Sequence, residues 1–131
     1  MSETFIPVKK IGGGTAWKLL SSTSISGTNT AEVERNVIYP NIDLSIYKEL
    51  LLSVSYYKAS DGYLVRNSVC VPSTEVWVQG NNVANWISCR DSLFGSEIIV
   101  RDKILTETRA YLFNTGTNHS GYTCYAKLFV K

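Results

Sequence analysis

Three cysteines, one histidine and eleven carboxylates are the side chains of this 131-residue chain best suited to catalysis or metal binding. Cys70, Cys89 and Cys124 lie 19 and 35 positions apart. An odd count at such gaps fits neither a disulfide framework nor a zinc site. All three sit inside apolar or alternating runs, so they are expected as small buried hydrophobes in a chain made in the reducing cytoplasm. His119 is the one imidazole that could serve a cysteine nucleophile, yet it falls in a Gly/Ser/Asn/Thr loop with no supporting motif. A carboxylate pair at ~5–10 Å would suit glycoside cleavage. Asp61, Asp91 and Glu97 are the candidates, with turn chemistry or solvated strand edges as the plainer account. No His/Cys/Asp cluster has metal-ligand spacing, so no metal and no cofactor is expected. Gly12-Gly13-Gly14 lacks the Gly-Lys-Ser/Thr sequel and the strand–helix setting of a phosphate loop.

Binding chemistry is better represented. Sugars are held by flat aromatic faces together with neutral donors and acceptors. Trp86 follows the amide-rich segment Gln79-Gly80-Asn81-Asn82-Val83-Ala84-Asn85, Trp77 lies just upstream, and Tyr122 adjoins Asn118-His119-Ser120. Trp77, Trp86, Asn82, Asn85, His119 and Tyr122 are therefore the candidate ligand-binding set. Each aromatic also has a structural reading, as a core or subunit-interface residue; so does Trp17. Arg90, Arg101, Lys103 and Arg109 could group as a modest basic patch, with a solvated strand face as the simpler account.

Composition narrows the class. Charged residues are 18% of the chain, against roughly 25% in an average soluble domain. Ser, Thr, Asn and Gly fill the gap at about a third of all residues. A net charge of +2 is too weak to be a nucleic-acid footprint. No apolar run reaches the roughly 18–20 residues of a membrane span, and no basic stretch precedes an apolar run as in a signal peptide. The expectation is a neutral, soluble, β-rich domain without nucleic-acid or membrane partners.

The elements that must position these residues follow a period of two. Residues 1–15, with Lys9-Lys10 before the glycine run, read as a flexible arm; residues 16–131 read as one domain. Trp17 to Ile25 opens the strands, and Ser26 to Thr30 supplies a turn. Glu34 to Tyr39 is stopped by Pro40-Asn41, and Leu44 to Tyr47 reads as a helical turn. Glu49 to Tyr57 alternates most clearly, with Leu50, Leu52, Val54 and Tyr56 on one face. Ala59-Ser60-Asp61-Gly62 is a hairpin turn, and Leu64 to Val71 returns to Pro72. A short run, Glu75 to Val78, precedes a Gly80-Asn81-Asn82 turn. Ala84 to Asp91 and Ser96 to Lys103 form a pair, with Ile104-Leu105-Thr106 read as extending the second. Arg109 to Phe113 and Tyr122 to Val130 close the chain around an Asn114 to Gly121 loop. The last strand points Cys124, Ala126, Leu128 and Val130 inward. About eight strands with turn signals every ~8–12 residues imply an all-β fold, an antiparallel β-sandwich or barrel, read as a single jelly-roll-like sandwich.

At Tyr47-Lys48-Glu49-Leu50-Leu51-Leu52-Ser53-Val54 the chain resembles small β-sandwich domains of tail-associated and minor structural proteins of bacteriophages and prophages of Gram-positive bacteria. The resemblance covers residues 16–131. It includes Ala16-Trp17-Lys18-Leu19-Leu20, the strand ending at Cys70-Val71-Pro72-Ser73-Thr74, and the last strand from His119 to Val130. Trp17, Leu52 and Pro72 carry over as fold determinants, no binding residue does, and Cys70 stands where an aliphatic residue is usual. What the resemblance implies is a non-enzymatic module of a tail tip, fibre or baseplate, made in the bacterial cytoplasm and located in the virion. It would assemble as a homo-oligomer, a trimer by preference, beside other tail proteins, and meet a host-surface glycan. A polysaccharide-cleaving domain and a purely architectural domain without ligand are the alternatives.

Overall fold

A computed structural model describes residues 16–27, 34–77, 83–113 and 120–131. The proposed arm (1–15), Asn82, His119 and the turns around residues 28–30, 80–82 and 114–119 lie outside the described residues. The described chain runs through β1 (Lys18–Ser26), β2 (Glu34–Ile38), β3 (Ile42–Asp43), β4 (Glu49–Lys58) and β5 (Gly62–Pro72). It continues through a single helical turn, α1 (Ser73–Trp77), to β6 (Ala84–Arg90), β7 (Phe94–Arg101), β8 (Ile104–Leu112) and β9 (Tyr122–Val130). Two antiparallel sheets pack face to face. One has the order β1-β9-β4-β5; the other has β2-β8-β7-β6, with β3 also paired to β8.

Alternation in β4 and β9 builds the middle of the sandwich. Leu50, Leu52 and Val54 of β4 and Cys124, Ala126, Leu128 and Val130 of β9 are fully buried. They meet Ile87, Phe94, Ile98, Val100, Leu105 and Leu112 from the opposite sheet. Each large aliphatic side chain taken from water in this way contributes roughly 1.5–3 kcal/mol of transfer free energy. Tyr56, Phe94 and Tyr122 form a ring cluster at the core, with centroids 5.0–5.9 Å apart. Polar residues on the inward face of β1 are satisfied: buried Ser21 bonds buried Thr108 across the sandwich at 2.8 Å, and Thr23 Oγ1 accepts from Asn36 at 3.1 Å.

Two features differ from the sequence expectations, the strand boundary at Ile104 and the exposure of Cys70, and the run from Glu75 gains an element type. Ile104-Leu105-Thr106 does not extend β7. The chain reverses at Asp102-Lys103, both at positive φ (49° and 65°), and Ile104 starts β8, which pairs back on β7. Two central residues with positive φ make the tight hairpin turn that matches strand twist, and the absence of glycine hid it. The run from Glu75 belongs to α1, whose Val76 is buried. Cys70 is exposed, unlike the other two cysteines, because β5 is an edge strand. The helical turn after Leu44 is present as a reversal, with the Tyr47 N–H donating to the Leu44 carbonyl at 3.0 Å. Just before it the Ser45 N–H donates to Asp43 at 2.8 Å and holds that carboxyl below its ordinary value.

Candidate functional site

Strand register assembles a polar and aromatic surface on the outward face of β6, β7 and β8. Side chains two residues apart share a face, so Trp86, Ser88 and Arg90 point outward while Ile87 and Cys89 point into the core. Trp86 pairs with Ile99, and Ile99 with Glu107; Ser88 pairs with Glu97, and Glu97 with Arg109; Arg90 pairs with Gly95, and Gly95 with Tyr111.

Arg109 is the centre of this surface. Its Nε and Nη2 donate to Glu107 Oε1 at 2.9 and 2.6 Å. Its Nη1 donates to Glu97 Oε1 at 3.2 Å and to the Tyr111 hydroxyl at 3.1 Å. Tyr111 in turn donates to Glu97 Oε1 at 2.8 Å. Burial weighs against the Arg109 charge, but the bonds to Tyr111 and Glu107 more than offset it, holding the guanidinium above its ordinary value. The Trp86 ring lies over this guanidinium, 5.2 Å from its carbon, while Trp86 remains 54% exposed. The cation fixes one side of the indole, and the rest of the ring meets solvent. Glu97 and Glu107 each offer only Oε1 to the network; among the described residues their Oε2 atoms accept no hydrogen bond.

Beside this network lies a cleft of about 250 Å³ whose walls include Ser88, Arg90, Gly95, Glu97, Tyr111 and Phe113. Phe113 stacks on Tyr111 with centroids 5.7 Å apart and planes 6° from parallel. The ring also passes over Gly95: a Cβ there would stand 2.7 Å from Phe113 Cε2. A hydrogen at Gly95 is thus what lets Phe113 lie flat on the sheet. The Arg90 guanidinium covers the ring, 3.7 Å from its centroid.

The candidates named from sequence fall in separate places. Trp86 is the exposed platform just described. Asn85, its neighbour, is half-buried and pairs with Val100. Trp77 packs against the core at the end of α1, with Lys103 Nζ 5.8 Å from its ring. Tyr122 belongs to the ring cluster with Tyr56 and Phe94 and carries Lys58 Nζ at 4.6 Å. Glu97 joins the Arg109 network. Asp91 is consumed by its turn: Oδ1 accepts from the N–H groups of Leu93 and Phe94 at 2.8 and 2.7 Å, and Oδ2 from Arg66 at 2.8 Å. Asp61 caps the β4–β5 turn, its N–H donating to the Lys58 carbonyl at 2.9 Å. The four basic residues do not form one patch, since Arg90 lies opposite the start of β7 whereas Arg101 and Lys103 are at its far end. Glu107, Tyr111 and Phe113 are additions that sequence reasoning missed. Their i, i+2 spacing with Arg109 was the available signal, but their partners come from another strand.

Among the described residues no group of three His, Cys, Asp or Glu could hold a metal ion, and no helix is long and apolar enough to cross a membrane. Fold and surface together define an all-β, two-sheet sandwich with one outward face carrying a polar–aromatic network. No protein-family model, curated protein or solved structure compared with the chain matches it.

Proposed function

We propose that this chain is a non-enzymatic binding module that contacts carbohydrate through the outward face of β6, β7 and β8. The observation that carries the proposal is Trp86: an indole held from one side by Arg109 and open on the other, next to two glutamates with unspent acceptor oxygens. A sugar ring stacks its C–H face on such an indole, and its hydroxyls donate to the free Oε2 atoms of Glu97 and Glu107. The engagement of both carboxylates with one guanidinium supports a binding role over acid–base work, because they act there as ion-pair partners.

The wider reading, a virion tail-associated module that works as a homo-oligomer, rests on the resemblance of residues 16–131 and on the hydroxyl-rich, weakly charged composition. The jelly-roll-like description is supported by β1 with β2 and β8 with β9 each dividing between the two sheets; β4–β5 and β6–β7–β8 depart from it by staying within one sheet.

A glycan array with wild type and Trp86→Ala tests the proposal. Wild type should retain a subset of bacterial surface polysaccharides, and Trp86→Ala should lose at least about tenfold in affinity with little change in melting temperature. Bound polysaccharide should release no reducing ends on prolonged incubation. A blank array, equal binding by the variant, or steady release of reducing ends would overturn the reading.

A further inference from the structure

We infer that the Arg90 end of this face is a subsite for an acidic substituent, so that the glycan class is one bearing carboxylates. The inference rests on the carbohydrate reading above and gives it a charge requirement. Its starting point is an imbalance along the face. At the Trp86 end, Arg109 is matched against two glutamates, so that end is net acidic and suits hydroxyl donors. At the other end Arg90 has no carboxylate partner among the described residues. The nearest carboxylate in sequence, Asp91, is committed to Arg66 and to two backbone N–H groups.

The Arg90 guanidinium is also held in place. It lies 3.7 Å from the Phe113 ring centroid, and its Nε donates to the Asp91 carbonyl at 3.2 Å. Nη1 and Nη2 then have no partner among the described residues. A planar fork fixed in this way matches a carboxylate with two parallel hydrogen bonds, and little side-chain entropy is left to lose. The cleft, about 250 Å³, is lined by both Arg90 and Glu97; it has room for a ring substituent whose carboxylate meets the guanidinium while neighbouring hydroxyls meet Glu97. Gly95, over which Phe113 lies, is part of the cleft's lining. Four residues of extended strand separate Trp86 from Arg90, ~13 Å, so the stacked ring and the acidic group belong to different sugars of one chain.

The test is an array of uronic-acid-bearing polysaccharide fragments, each printed beside its carboxyl-reduced form, probed with wild type, Arg90→Gln and Trp86→Ala. Wild type should bind the acidic form about tenfold more tightly than the reduced form. Arg90→Gln should abolish the acidic preference, so that the variant binds the acidic and the reduced form equally, and Trp86→Ala should weaken both. The acidic preference should also shrink between 0.15 and 1 M salt, as screening shortens from ~8 to ~3 Å. Equal binding of both forms by wild type, or an acidic preference that survives in Arg90→Gln, would overturn the subsite and leave the carbohydrate reading standing. No retention of either form by wild type would overturn both.

Discussion

Cys89 and Cys124 face inward from β6 and β9, and burial pushes their thiols up to about 11 and about 12. Cys70 projects from the edge strand β5, where only a long contact, 3.8 Å, runs to Glu49. A thiolate is the reactive species, so the three should separate cleanly. At neutral pH a thiol-specific reagent should label one cysteine of the folded protein quickly, and all three after denaturation; labelling of two or three in the native state would contradict the placement. The same burial sets an alkaline limit. The unfolded chain ionises its thiols near 9, the folded chain not until about 11–12. Stability from keeping them neutral is therefore fully present below pH ~9 and lost as pH rises through ~11–12. Denaturation midpoints measured across that window should fall, and should fall less in Cys124→Ala.

The β6–β7 hairpin is the element on which the site depends, since it carries Trp86, Arg90, Gly95 and Glu97 together. Asp91 closes it through two backbone N–H groups and anchors it to β5 through Arg66. Asp91→Ala leaves two turn donors and a guanidinium without their acceptor, and should cost about 1–3 kcal/mol in denaturant unfolding. Asp91→Asn, which keeps an acceptor, should cost less. This hairpin was legible in the sequence in outline, because Ala84 to Asp91 and Ser96 to Lys103 alternate on either side of a glycine. So were β4 and β9, where one face is aliphatic and the other hydroxylated or aromatic. The β7–β8 reversal was not, because Asp102-Lys103 adopts positive φ without a glycine to announce it. Two-residue β3 is too short to show a period. The site was half legible: Trp86 and Glu97 stood out as an aromatic beside amides and as a lone acid. Their association with Arg109, Glu107 and Tyr111 is set by register between strands, which local pattern does not encode.

At the scale of the molecule, the β5 edge of the sandwich carries three successive exposed apolar or aromatic side chains. Tyr63, Leu64 and Val65 of edge strand β5 are all exposed, Val65 to 58%, and an exposed apolar edge is a place where another strand pairs. The proposed homo-oligomer has its most direct counterpart there. Light scattering should give a mass above the 14.6 kDa of one chain, and Val65→Lys should shift it toward the monomer; a wild-type monomer would remove the oligomer from the account. On the other broad surface, outside β1-β9-β4-β5, Lys127 Nζ lies 5.0 and 5.3 Å from the Tyr63 and Tyr125 rings, and the Ser55 and Tyr63 hydroxyls meet at 2.6 Å. The two outward faces can thus be told apart by experiment. Amide and indole shift mapping by NMR, with the polysaccharide retained most strongly on the array, locates the bound sugar on one face or the other. Binding through β6, β7 and β8 should shift Trp86, Ser88, Glu97, Arg109 and Tyr111 and leave Tyr57, Ser55 and Tyr125 unmoved; shifts confined to those last residues, or none at all, would exclude binding at this face.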